Sequence, residues 1–265
     1  MTSSTGSSLR VAVVTGAAGG LGQQIVSDLR GQGFDVVATD VVAAHDCREL
    51  DVRSAAQCRA LADEIRPSVW VNCAGILGSG DAATQEDDLV ERVVMVNLLG
   101  VMNGTRAAIE VMRADGVRGH VINIASLASW VPVPGECVYA ATKAGVLSFS
   151  LGLQAELRSQ GVEIHISAIC PDGMLTPMLS EVIDDPAIAL SFSAPRLTTV
   201  EEVSARLVLL LERPRLIASV PRWRGAQVRL LGVVPEFGVR ALPLFRRMGR
   251  AQQVKARELL SSRGQ

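Results

Sequence analysis

The chain has 265 residues, 48% hydrophobic and 20% charged, a balance that fills a core and excludes a mainly disordered protein. No run reaches the roughly 18 apolar residues of a membrane-spanning helix. Five cysteines without a C-x-x-C pair, and only three histidines, give no metal motif. We expect no metal, reduced thiols and a cytoplasmic protein. The net charge of −1 hides an asymmetry. Residues 213–265 hold twelve Lys or Arg and two acids, leaving −11 on the body and +10 on the tail.

Residues 1–8, rich in Ser, Thr and Gly, lack the basic start and apolar centre of a secretory signal and read as a disordered lead. Short apolar strands then alternate with helical stretches. Strands are predicted at 10–15, 35–39, 69–73, 120–125, 163–169 and 216–220. Helices are predicted at 20–32, 55–65, 87–114, 139–160 and 200–213. This alternation is the signature of βαβ units. It predicts one α/β domain over 9–220, a doubly wound parallel sheet of Rossmann type, followed by a basic amphipathic extension over 221–265. Between Thr176 and Val200 runs a connection too long to be a simple turn.

The first strand enters Thr15-Gly16-Ala17-Ala18-Gly19-Gly20-Leu21-Gly22 and then a helix. Glycines suit a turn that presses backbone N–H groups and a helix N-terminus against a pyrophosphate. Gly16, Gly20, Leu21 and Gly22 are therefore candidate dinucleotide-binding residues. Asp40 ends the second strand, 24 residues after Gly16. A carboxylate there accepts bonds from the adenosine ribose of NAD and repels the 2′-phosphate of NADP. No basic residue adjoins it in sequence, so NAD is the expected cofactor.

Tyr139 is the only tyrosine, and Lys143 is one of two lysines. Four residues apart on a helix they share a face, and an ammonium near a phenol favours its ionised form. The pair reads as acid-base machinery. The alternative is a surface Tyr beside a solvated Lys.

These residues resemble the short-chain dehydrogenase/reductase family over 9–220. The resemblance rests on the glycine turn, Asp51-Val52, Asn72-Cys73-Ala74-Gly75, Asn97, Ser126 and Tyr139-Ala140-Ala141-Thr142-Lys143. The glycine spacing also fits the longer epimerase branch, but overall length and the 13-residue step from Ser126 to Tyr139 favour the shorter one. The resemblance implies that Tyr139 exchanges a proton with the substrate oxygen while hydride moves at the nicotinamide. Ser126 holds the same oxygen, Lys143 holds the nicotinamide ribose and lowers the phenol pKa, and Asn97 supports a water leading to solvent. It further assigns Asp51, Val52, Asn72, Ala74, Gly75, Pro171 and Thr176 to cofactor binding. Ser129 is an alternative to Ser126, and a purely structural Asn97 stays open. Cys73 stands where the family has Asn, and Asp172 where it has Gly after Pro171, which puts cofactor geometry there in question.

Apolar residues around Tyr139 and in the connection after Thr176 suggest a greasy pocket for a hydrophobic secondary alcohol or ketone. Two other functions remain open: a reductase of carrier-bound 3-oxoacyl chains, and a non-catalytic NAD-binding regulatory subunit. A homo-oligomer, tetramer or dimer, is expected. No nucleic-acid reading motif is present, and the basic tail is a candidate for contact with an anionic surface.

Overall fold

The computed structural model describes residues 10–263, with side chains to Glu258. The lead expected at 1–8 lies outside the described residues. Strands β1 (Val11–Thr15), β2 (Asp35–Asp40), β3 (Arg48–Glu49), β4 (Val69–Asn72), β5 (His120–Ile124), β6 (His165–Pro171) and β7 (Ile217–Val220) form one sheet. Its order is β3-β2-β1-β4-β5-β6-β7, and every pairing is parallel. The sheet is the expected doubly wound one. β3 adds a two-residue edge too short to carry a hydrophobic period.

Alternation along each strand sends side chains to opposite faces. Val14 packs with Ile25 and Leu29 of α1 (Gly20–Gly31) and with Val203 and Leu207 of α7 (Val200–Glu212). Val13 packs the other way, with Leu61 of α2 (Ala55–Ile65) and with Ala108 and Met112 of α4 (Val101–Ala114). The third helix on that side is α5 (Cys137–Ser159), which buries Val146 and Leu147 against Ala168 and Cys170 of β6. α7 opens with a capping box, Thr199 Oγ1 accepting from Glu202 N while the Glu202 carboxylate accepts from Thr199 N, which satisfies two otherwise orphaned donors.

The helix predicted over 87–114 is continuous but not uniform. Between α3 (Asp87–Val94) and α4 it widens into a π turn over Met95–Gly100, a local bulge often found at functional sites.

The order reverses between β1 and β4, and in open parallel sheets ligands bind beyond the carboxyl ends of the strands at such a switch point. The long connection after Thr176 folds into α6 (Pro177–Ser180) and a 3-10 stretch over Pro186–Phe192. The extension forms two helices, α8 (Arg222–Val233) and α9 (Pro235–Arg263). α9 lies on the 3-10 stretch: Gln253 Nε2 donates to the carbonyls of Ile183 at 2.7 Å and Asp185 at 2.8 Å. Ala256 joins a cluster with Leu179, Ile188 and Phe192. A Cβ at Gly249 would stand 1.7 Å from the Ala189 carbonyl oxygen, so only glycine permits this approach.

Candidate active site

One cavity of about 560 Å³ runs across the carboxyl ends of the central strands. At one end the chain leaves β1 at Gly16 with φ +68°, where a Cβ would stand 2.6 Å from Ala74 Cα. A Cβ at Gly22 would stand 2.1 Å from the Gly16 carbonyl oxygen. Both glycines are steric requirements of the turn. Helix α1 begins with neither a side-chain cap nor an acid in its first turn. Its leading N–H groups have no intrahelical acceptors, and Gly20, Leu21 and Gly22 line the cavity. Such an end suits a phosphate. Asp40 stands beside it, Oδ2 accepting from Ala18 N at 3.0 Å and Oδ1 from Val42 N at 3.4 Å.

Asp51, Val52, Ala74, Gly75, Pro171 and Thr176 also line the cavity. Arg53 binds the Asp51 carboxylate at 2.6 Å and holds it below the usual carboxylate range. The glycine turn has the room and the backbone donors that a dinucleotide would need, and among the described residues the Asp40 carboxylate forms no ion pair.

Asn72 and Asn97 do not line the cavity but support it. Asn72 accepts from Trp70 Nε1 at 2.8 Å and donates to Thr105 Oγ1 and Asn123 Oδ1, in a buried polar network under the floor. Thr15 Oγ1 accepts from the backbone N–H groups of Cys73 and Ala74, both at 3.2 Å. The Cys73 substitution thus leaves this backbone support intact. Asn97, fully buried on the π turn, accepts from Ile76 N and donates to Ile76 O, both at 2.8 Å. A Cβ at Gly75 would meet Asn97 Oδ1 at 3.3 Å and Lys143 Nζ at 3.6 Å, which puts the amide beside the ammonium.

Ser126 and Tyr139 both line the cavity, and the Ser126 side chain lies near enough to the phenol to draw its pKa down. Ser129 is used elsewhere, donating to the Lys143 carbonyl at 2.8 Å, so Ser126 is the serine that faces the phenol. Lys143 is 4% exposed. Its Nζ lies 5.6 Å from the Tyr139 ring centroid and donates to the Ile124 carbonyl at 2.9 Å. Burial lowers its pKa to about 8. The phenol departs from expectation. Burial, with the Glu136 charge added, raises it above its ordinary value against the opposing effect of Ser126. Desolvation is the largest of these effects.

Two charged residues that sequence reasoning passed over, Glu136 and Arg224, complete the wall. Glu136, 2% exposed, accepts from Ser191 Oγ at 2.7 Å, and burial raises its pKa to about 7. It precedes Tyr139 by three residues, one helical turn, and that spacing was its only signal. Arg224 donates to Asp172 Oδ2 at 3.2 Å in a nearly buried ion pair and to Ser193 Oγ at 2.5 Å. The unusual Asp172 is therefore bound to α8, although burial still raises its pKa. No local pattern links residues 52 positions apart. The far wall is apolar, with Val131, Met178, Leu190, Val228, Leu242 and Phe245.

A parallel sheet with a glycine turn and a Ser-Tyr-Lys group at its switch point defines a nucleotide-dependent oxidoreductase. Residues 10–187 match the family described as short chain dehydrogenase, and the chain belongs to that family. It is 33% identical over 187 residues to a 3-beta-hydroxysteroid dehydrogenase of Comamonas testosteroni, covering 64% of this chain and 73% of that protein. It is 31% identical over 200 residues to a (3R)-3-hydroxyacyl-CoA dehydrogenase of Homo sapiens, covering 65% and 76%. A short chain dehydrogenase/reductase from Burkholderia phymatum, solved in complex with NAD, shares the fold with a TM-score of 0.74 at 24% identity, covering 84% of this chain and 92% of that one.

Proposed function

We propose that this protein interconverts a hydrophobic secondary alcohol and its ketone with NAD(H). The observation that carries the reading is that Ser126, Tyr139 and Lys143 open on one cavity, between the glycine turn and an apolar wall. Gly16, Gly20, Leu21, Gly22 and Asp40 would hold the adenosine and pyrophosphate portion, and Lys143 and Thr176 the nicotinamide portion. When bound, the nicotinamide exchanges a hydride with the substrate carbon. Tyr139 gives a proton to the carbonyl oxygen during reduction and takes it back during oxidation. Ser126 donates to the same oxygen and fixes it against the phenol. The buried Lys143 ammonium places a positive charge where the phenolate forms. Asn97 acts through the backbone, holding Ile76 and Gly75 beside that ammonium.

A phenol raised above its ordinary value keeps its proton at neutral pH. Reduction then proceeds from the resting form, whereas alcohol oxidation needs the minor phenolate and should accelerate as pH rises. The names of the relatives support a hydroxysteroid or a 3-hydroxyacyl thioester as substrate, and both fit an apolar wall.

The test is NADH formation from NAD⁺ with a panel of such alcohols. Tyr139→Phe should reduce kcat by about 10²–10⁴-fold, the usual contribution of an acid-base group, with NADH affinity nearly unchanged. Full activity of that variant on a turned-over substrate would refute the assignment.

A further inference from the structure

Helices α8 and α9 are apolar on two sides. Inward, Val228, Leu231, Leu242 and Phe245 line the cavity. Outward, Trp223, Leu230, Val233, Phe237, Leu244 and Met248 are between 45% and 75% exposed. Among the described residues, nine of the sixteen exposed large apolar side chains belong to these two helices and their junction. The outer surface is thus an apolar patch, not scattered single residues. The spacing is helical. Trp223, Leu230 and Val233 fall on one stripe of α8, and Phe237, Leu244 and Met248 on one stripe of α9, interleaved with Arg240 and Arg247.

The charge around this patch is predominantly positive. Residues 222–263 hold ten Lys or Arg and two acids, Glu236 and Glu258. Arg224 is spent on Asp172, Arg229 lies over the Trp130 ring and bonds Ser219, and Arg257 pairs with Asp184. Arg222, Arg240, Arg247, Arg250 and Lys255 are exposed. None of these five forms an ion pair among the described residues.

We infer that the outer face of α8 and α9 docks on an anionic lipid surface. The apolar stripes enter the acyl boundary, and the arginines lie at the headgroups. A helix that combines a large apolar face with basic residues lies in the interface plane, and an anionic leaflet attracts each nearby cation. Among the described residues no helix is long and apolar enough to cross a membrane, so the contact is peripheral. A second copy of the chain fits this face less well. A two-fold contact is self-complementary and would set these arginines against their own counterparts, with only two acids to offset them. Because the same helices wall the cavity, docking places its apolar side next to the bilayer. An apolar substrate then passes from lipid to the Tyr139 region without crossing water. This last step rests on the proposed reaction; the docking itself does not.

The experiment is co-sedimentation of the full chain with vesicles of phosphatidylcholine and phosphatidylglycerol, and with phosphatidylcholine alone. We expect association with the anionic vesicles only, weakened by salt as the Debye length falls from about 10 Å at 0.1 M to about 3 Å at 1 M. Phe237→Asp with Leu244→Asp should lower partitioning at least roughly tenfold. Arg240→Glu with Arg247→Glu should lower it by about fivefold or more for each charge reversed. NADH affinity and oligomer mass should be retained in both variants, which reports that they fold. Failure to sediment with anionic vesicles at low salt would overturn the inference, as would parent-level binding by both variants. Loss of an oligomer in the charged variants would assign the face to a second copy instead. Vesicle binding is read without turnover, so its failure leaves the proposed reaction standing, and an inactive protein that binds vesicles leaves the docking standing.

Discussion

The two walls of the cavity are built on different principles. The cofactor wall is local. Gly16 to Gly22 and Asp40 follow single strands into single turns, and each geometric requirement, such as the positive φ of Gly16, is met within a short stretch. The opposite wall is assembled from distant pieces: residues after β6, the 3-10 stretch and the two C-terminal helices. Its polar fastenings join Asp172 to Arg224, Glu136 to Ser191, and Gln253 to Ile183. A local wall loses function one residue at a time, whereas a fastened wall loses shape as a unit.

The largest effect that would break this contrast is at Arg224. The guanidinium and carboxylate of the Asp172 pair are 7% and 10% exposed, and deleting one partner of a buried pair leaves an uncompensated charge at a cost of about 3–5 kcal/mol. Arg224→Met should therefore destabilise the protein by about that amount in denaturant unfolding. Asp172→Asn combined with Arg224→Met should recover most of it. If the single variant unfolds like the parent, the C-terminal helices are not fastened at this point.

A smaller effect is expected at Glu136, where the two walls meet beside Tyr139. Its folded-state pKa of about 7 lies above the ordinary 4.5, because burial and the Asp185 charge favour the protonated form over the opposing Ser191 bond. An acid raised on folding contributes stability that is fully present below its unfolded value and lost as pH rises through the folded one. The window is thus about pH 4.5 to 7. Across it the parent should lose up to roughly 3 kcal/mol relative to Glu136→Gln, at about 1.4 kcal/mol per pKa unit. Unfolding midpoints of the two proteins that stay parallel across this window would show that the carboxyl is not buried in this way.

Legibility in the sequence follows the same division. The six longer strands, the glycine turn and the Tyr139 and Lys143 pair were readable because period, turn chemistry and spacing are local signals, whereas Ser126 was readable only through the family resemblance. The two-residue β3 was not, being shorter than any period. The α8 and α9 helices were seen only as a basic amphipathic stretch. Their apolar residues serve two faces at once, which erases a single-sided helical pattern, and Pro243 lies inside α9, where a proline ordinarily marks an end. The Asp172 and Arg224 pair needed the sheet order itself, since β6 and β7 become neighbours only in the fold. The burial that raises the Tyr139 phenol was not legible, because sequence shows a cation four residues away but not how deeply the ring is enclosed.

The smallest effect tests whether the cofactor wall is as local as it looks. Asp40 has two roles to separate: its charge, proposed to face the adenosine ribose, and its Oδ2, which accepts from Ala18 N within the glycine turn. Asp40→Ala removes both, so a narrowed preference for NADH over NADPH would not show which one mattered. Asp40→Asn keeps an acceptor for Ala18 and removes only the charge. The side chain is half-buried, and two unit charges about 4 Å apart interact by about 1 kcal/mol with water-like screening. The asparagine variant should therefore gain several-fold in NADPH affinity while NADH affinity stays nearly constant. The alanine variant should lose NADH affinity as well, because the turn loses its bond. Calorimetric titration of both cofactors against both variants separates the contributions. If asparagine leaves the ratio unchanged, charge does not set the preference. Tighter NADPH binding by the unsubstituted protein would remove Asp40 from the cofactor assignment altogether.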